Sequence, residues 1–434
     1  MRKRAIAAAA IAAAVSLVVA GCSSSSGSGS SSGGTLTYWA SNQGTSLDND
    51  KQVLTPVLDE FTKETGTKVK LEVIGWNDLQ TRIQTAVTSG QGPDVLNIGN
   101  TWASSLQATG AFLPFDDANM KAIGGSSKFV KTALDTGGAA GKPVTSVPLY
   151  GLAYGLYYNK KMFSDAGVQP PTTWEELVAA AKKLTNGTQY GFSLAAGSYT
   201  ENVHFAFING SQNGGEWFDS KGNPTFTSQA NVDGIKRYLD LMQTDKVVNP
   251  SNAQYDNGVQ AVNDFATGKV AMILSQNNAD SSIVKNGMKS DQYGVVPFPA
   301  PEGGKKIASF PAGINLSVFK NTKNKDAALK FVKYMTSSSV QSRLAKPYAT
   351  LPVLAGAKAE FTDNADEAAT FQKIYNEMAK PLPLVPAEDQ FENTVGKAMN
   401  DMFAKIATGG TVSDADIKAA MQTAQDQVKQ SMGG

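Results

Sequence analysis

A chain of 434 residues with 39 basic against 38 acidic side chains is close to neutral, and so lacks the positive excess that marks a nucleic-acid or acidic-lipid partner. One cysteine and one histidine exclude an intrachain disulfide and argue against a zinc, copper or iron–sulfur centre. The length exceeds what one hydrophobic core usually serves, so two lobes are expected.

Arg2, Lys3 and Arg4 precede an uncharged apolar run, Ala5 to Ala20, and Gly21-Cys22 follows. A basic start, a short apolar segment and small residues at the cut spell a secretory signal peptide over residues 1–21. The run is too short and wrongly flanked for a spanning helix. The cut falls before the sole cysteine, and the pattern is similar to a bacterial lipobox. Cys22 is therefore expected to be acylated and to hold the exported protein on the membrane by lipid alone. Without acylation, an odd free thiol would stand outside the cell. Residues 22–34 read as a Ser/Gly linker by composition. Gly29 to Gly33 spell G-x-S-x-G inside this tract, but no strand precedes and no helix follows, so it is not a nucleophile elbow.

Thr35 to Trp39 reads as a strand. Val53, Leu54, Val57, Leu58 and Phe61 share one face of a helix from about 50 to 64, with Gly66 as a stop. Lys68 to Val73 alternates as a strand. Leu79, Ile83, Ala86 and Val87 place a helix over 78–89. Val95 to Ile98 is a short apolar strand after Gly92-Pro93-Asp94. This alternation predicts parallel pairing in an open α/β sheet. Ligands of such sheets sit beyond the carboxyl ends of the strands, here Ala40 to Gln43, Gly75-Trp76 and Gly99 to Trp102. A second α/β region follows. Leu156 to Tyr158 is a strand, and Thr173 can cap a helix that Glu176 caps in return. Val270 to Leu274 is a buried strand. Asp326 to Met335 and Gln390 to Ile406 are amphipathic helices.

Gly92-Pro93-Asp94-Val95, Leu156-Tyr157-Tyr158-Asn159-Lys160, Ala166-Gly167, Pro171-Thr172-Thr173-Trp174-Glu175-Glu176-Leu177, Gly268-Lys269-Val270-Ala271-Met272, Val295-Val296-Pro297 and Ala328-Leu329-Lys330-Phe331-Val332 occur in that order. Together, behind a lipobox, they resemble the extracellular solute-binding proteins of ABC importers, the group that includes maltose-binding protein. The resemblance covers roughly residues 35 to 430. It implies a two-lobed α/β fold, periplasmic-binding-protein-like, with an interlobe cleft and crossing hinge strands. The first lobe would span 35–150 and 312–365, the second 155–308 and 368–434. It also implies a receptor with no cofactor, no metal and no chemistry of its own, working as a monomer with the permease subunits of a transporter.

The candidate ligand contacts on the first lobe are Asn42, Gln43, Asn100, Thr101 and Trp102. On the second they are His204, Trp217, Gln276, Asn277 and Asn278, with Tyr150, Tyr154, Gly313 and Phe391 near the crossings or the pocket. Asn278 departs from the family pattern, in which an aromatic is frequent, so stacking must come from elsewhere. Amides and hydroxyls supply donors and acceptors for sugar hydroxyls, and Trp and Tyr supply flat apolar surface with a polar tip. The set suits a neutral sugar. Some readings stay open: Tyr150 and Tyr154 as hinge packing, His204 as a pocket or core residue, Trp39 as core, Trp76 as helix entry or cleft wall. A different solute also stays open, whether a polyol phosphate, a peptide or a polyamine. A polyamine would want carboxylates between aromatics, and Glu201, Glu216, Glu388 and Asp389 keep that alternative alive. Paired carboxylates would also serve a secreted glycoside hydrolase.

Overall fold

The computed structural model describes residues 34–432. The expected signal peptide, Cys22 and the linker up to residue 33 lie outside the described residues. Nine strands are described: β1 Thr35–Ser41, β2 Lys68–Ile74, β3 Val95–Gly99, β4 Ser146–Leu152, β5 Tyr154–Asn159, β6 Tyr190–Ser193, β7 Val270–Gln276, β8 Tyr293–Val296 and β9 Ala312–Val318. They form one sheet in the order β2-β1-β3-β9-β4 and another in the order β6-β7-β5-β8.

The first sheet begins as the alternation requires, with β2 and β3 both parallel to β1. The crossover helix Leu47–Thr65 starts earlier than its apolar stripe indicates, because Ser46 caps the backbone N–H of Asn49. It ends at Gly66, whose φ of 72° is the left-handed turn that glycine adopts without strain. Leu54, Val57, Leu58 and Phe61 bury its inner face, each contributing about 1.5 to 3 kcal/mol. Asp94 braces the entry to β3. Its carboxylate accepts from the Thr37 backbone and hydroxyl at 2.7 and 2.8 Å. Partial burial works against its charge, but hydrogen bonds from Thr322, Thr37 and Asn324 hold the carboxyl below its usual range.

In the second region Thr173 and Glu176 form the reciprocal cap that opens helix Trp174–Leu184. Trp174 is buried edge-on to Phe298, with the Arg237 guanidinium over its other side. This region and the chain beyond Ala349 share one continuous hydrophobic core, while the first sheet carries a core on each face.

The chain passes between the sheets three times. Ala153 alone separates β4 from β5. Phe310 and Pro311 lead back into β9, which pairs antiparallel with β3 and β4. Leu351 then pairs with Gly151, and the chain goes on to helix Ala365–Glu377 beside β5 and β8. The register fixes what faces the crossings. Leu152 at the end of β4 lies opposite Ala312, and Gln276 at the end of β7 lies opposite Tyr154. β6 runs parallel to β7. The carboxyl ends of β1 to β4 therefore meet those of β6 and β7 across one seam.

Candidate binding site at the seam

The first wall of the seam is built from the turns after β1, β2 and β3. Asn42, half-buried, donates its amide to Gly44 O at 3.1 Å and to Asp50 Oδ2 at 2.5 Å. Asp50 is fully buried and also accepts the backbone N–H groups of Gln43 and Gly44. Burial pushes its carboxyl up, against the bonds that favour its charge. This hub folds the 42–44 turn, and leaves Gln43 Oε1 buried with no hydrogen-bond partner. Trp76 opens helix Trp76–Ser89, is 36% exposed, and donates its indole N–H to Asn42 O at 2.6 Å. Its ring meets Trp102 edge-on at 5.6 Å. Asn100 donates to Pro311 O at 2.7 Å, tying the wall to a crossing, while Thr101 beside it is half-buried. Trp102 is 8% exposed and packs with Leu106. Trp39 is half-buried, packed against the core on this face of the sheet, with the guanidinium of Arg82 4.6 Å from its ring.

The second wall comes from helices Tyr199–Gln212 and Glu388–Ala407. His204 lies between them. Its Nδ1 is 3.0 Å from the Tyr154 hydroxyl, its Nε2 is 3.4 Å from Glu392 Oε1, and its ring stacks 4.5 Å from Phe310. With the ring proton on Nε2, the imidazole donates to Glu392 and Nδ1 accepts the Tyr154 O–H. Burial, with Glu201 and Glu392 nearby, pushes the Tyr154 hydroxyl well above its usual range. Gly396 lets the two helices touch, since a β-carbon there would lie 2.2 Å from Tyr199 O.

The walls meet directly. Trp102 Nε1 donates to Glu392 Oε2 at 3.1 Å, and Ser105 Oγ donates to Asp389 Oδ1 at 3.0 Å. At the far end Lys285 Nζ reaches Thr45 Oγ1 at 2.9 Å. Glu388 and Glu392 are one helical turn apart on the same face, both buried, with Asp389 between them half-buried. Burial, reinforced by Glu392 and Asp389, pushes the Glu388 carboxyl well above its usual range. Asp389 is raised by burial as well.

Several expected contacts stand elsewhere. Trp217, 1% exposed, packs with Phe226 and Phe391 in an aromatic core behind the helix, and Phe391 is fully buried there too. Tyr150 packs edge-on to Tyr348 inside the first lobe. Gly313 serves close strand approach, since a β-carbon would lie 2.3 Å from Tyr150 O. Asn277 is fully buried and pins the crossings: its Oδ1 accepts the Ala153 N–H at 2.8 Å and its Nδ2 donates to Ala349 O. Gln276 and Asn278 flank it, half-buried at the seam. Of the four carboxylates that kept the polyamine alternative open, Glu216 is exposed and paired with Lys380 at 2.8 Å. Glu201 sits against Gly258, its carboxyl pushed up to about 7 by burial. Asp389 does reach the seam, through Ser105, and Glu388 precedes it on the same helix. Glu392, Ser105 and Phe310 were not expected there. The four-residue spacing of Glu388 and Glu392 was the available signal, but the expected helix began at Gln390 and left Glu388 outside it.

Two α/β sheets whose strand ends face each other across repeated chain crossings define a two-lobed binding protein. The family model for bacterial extracellular solute-binding protein matches residues 44–342, more than half of the chain, which belongs to that family. The chain is 25% identical over 371 residues to the diacetylchitobiose binding protein DasA of Streptomyces coelicolor, covering 83% of this chain and 82% of that one. It is 25% identical over 411 residues to the mannitol-binding protein of Pseudomonas aeruginosa, covering 88% and 92%. The solved GacH receptor of Streptomyces glaucescens, known unliganded and with acarbose, superposes with a TM-score of 0.75 at 24% identity, over 92% of this chain and 99% of that one. That likeness concerns the fold. The protein is thus an extracytoplasmic solute-binding protein of the ABC-importer kind, similar to maltose-binding protein, and not an enzyme.

Proposed function

We propose that this protein is a lipid-anchored receptor, working as a monomer, that captures a sugar or oligosaccharide at the seam and delivers it to the permease subunits of an ABC importer. The observation that carries this reading is the composition of the seam. Trp76, Trp102 and Tyr154 offer aromatic surface beside the polar side chains of Asn42, Gln43, Asn100, Thr101, Gln276 and Asn278. Flat apolar rings with amides around them suit the faces and edges of a sugar. The sugar and polyol named for the two relatives point the same way. No arginine stands among these seam residues, which disfavours a phosphate-bearing solute.

The lobes of this reading are 35–150 with 312–365 and 155–308 with 368–434. Closure of one on the other would bury the ligand, and the contacts from Trp102, Ser105 and Thr45 to the opposite wall are those of a closed seam. Cys22 supplies the anchor. Among the described residues no helix is long and apolar enough to cross a membrane.

The test is calorimetry over a panel of mono-, di- and oligosaccharides, polyols, peptides and phosphorylated solutes, with a labelled oligosaccharide incubated alongside. Saturable binding of a sugar with the label returned intact is the expected result. Binding confined to peptides or phosphorylated solutes would overturn the reading.

A further inference from the structure

The walls of the seam carry an imbalance that a neutral sugar does not use. Glu388 is 1% exposed, and neither of its carboxylate oxygens has a hydrogen-bond partner. It lies one turn before Glu392 on the same helical face, with Asp389 between them. Glu392 is served by Trp102 Nε1 and His204, and Asp389 by Ser105 and the Gln390 backbone. Glu388 has no such donor. Among the described residues no lysine or arginine pairs with any of the three.

A buried carboxylate without a donor forfeits its hydration for nothing. Two carboxylates on adjacent turns also repel. Without a cation the wall is tolerated because burial holds the Glu388 carboxyl in its protonated form; a cation that completes the pair takes the place of that proton. Two of the donors are contributed by the other lobe: Trp102 and Ser105 belong to the first wall, and they withdraw when the seam opens. What opening exposes is Glu392 and Asp389, with Glu388 one turn away on the same helix, and His204 linking Glu392 to the rings of Tyr154 and Phe310.

Building on the sugar-receptor reading above, we propose that the solute carries a protonated amine and that Glu388 and Glu392 receive it. The ligand class is an amino sugar or an amine-containing pseudo-oligosaccharide. A primary ammonium offers three N–H donors and a secondary one two, enough to serve Glu388 and Glu392 together in charge-assisted bonds. The aromatic rings beside the acids then take the apolar faces of the ring that bears the amine. A linear polyamine shares the charge but lacks those faces, and it enters the test as a separate arm.

The experiment is calorimetry at low salt on the intact mature chain. Each mono- and disaccharide of a panel is offered in three forms: parent hydroxyl, free amine and N-acetyl amide. Spermidine is included. Glu388→Gln and Glu392→Gln are run beside the wild type, with thermal unfolding of each. One amine-bearing sugar is expected to bind at least about tenfold more tightly than its N-acetyl form, a charge-assisted bond's worth. Glu388→Gln is expected to erase that preference while melting no lower than wild type, since glutamine keeps the size of the side chain and the uncharged form that burial already favours. Glu392→Gln, which keeps an acceptor for Trp102, should weaken the preference in the same direction. Equal binding of amine and amide, or a preference that survives both substitutions, overturns the amine assignment and leaves the sugar reading standing. Binding of spermidine with no sugar bound in any form overturns both.

Discussion

Trp102 and Glu392, 290 residues apart in the chain, meet across the seam, with the indole Nε1 donating to Oε2 at 3.1 Å. The ring belongs to the first lobe and packs on Leu106 and Trp76. The acceptor belongs to the second and is shared with the only histidine of the chain. One residue thus combines a packing role with a bond that exists only when the lobes touch.

Two substitutions at Trp102 separate those roles. Trp102→Phe keeps a ring and removes the donor, with an expected loss of about 1.5 to 3 kcal/mol from the closed form, the scale of a hydrogen bond to a charged group. Its unliganded radius of gyration by solution scattering should exceed that of wild type, with urea unfolding little changed. Trp102→Ala also removes the packing and should lower unfolding stability by about 3 to 5 kcal/mol. Identical scattering for wild type and Trp102→Phe would refute the latch.

Asn277→Ala should destabilise the protein by about 2 to 4 kcal/mol, because it strands the buried Ala153 N–H and Ala349 carbonyl at two crossings. Urea denaturation reads the loss. A near-neutral effect would show that these backbone groups find other partners.

The buried pair Asp280 and Glu367 makes stability depend on pH. Tyr293 donates its hydroxyl to Asp280, and burial, then the neighbouring Asp280, pushes Glu367 up from 4.5 to about 8. The folded state therefore keeps a proton that the unfolded chain releases near pH 4.5. This contribution is whole below that value and is lost as pH rises through about 8. Melting temperature should fall between pH 5 and pH 8.5, and Glu367→Gln should recover a few degrees, about 1 kcal/mol or more, at the upper end. Calorimetric scans over that range decide the matter; an equal slope in wild type and variant would rule the pair out as its source.

Cys22→Ala removes the thiol on which the proposed lipid anchor depends. The variant should leave the washed membrane fraction or accumulate unprocessed, as fractionation with immunoblotting would show. Full retention in washed membranes would refute the anchor.

The first three strands and their helices were legible because their signals are local: alternation in Lys68–Ile74, a 3.6-residue stripe in Leu47–Thr65. β9 was not legible as a strand between β3 and β4. All seven of its residues are buried, so it shows no alternation, and its neighbours come from far back in the chain. The expectation of a site at the carboxyl ends of β1 to β3 came from topology alone. Trp217 and Phe391 show the limit of residue type. An aromatic suits a pocket and a core equally, and packing against Phe226 placed both in the core. Glu392 escaped notice because an acid beside an apolar stripe ordinarily faces water. Here a second lobe covers that side of the helix.

The missing β-carbon at Gly396 bears on the order of events during capture. It allows helix Glu388–Ala407 to rest directly on the backbone at Tyr199, so Glu388, Glu392 and His204 travel as one block. Parting the lobes breaks the bonds of Trp102 and Ser105 but leaves that block whole. An arriving solute would find half of its receptor already assembled on the second lobe, dock there first, and be covered afterwards by the first. A bulkier residue at 396 would spread this block and slow the docking step, even if the closed complex could still form.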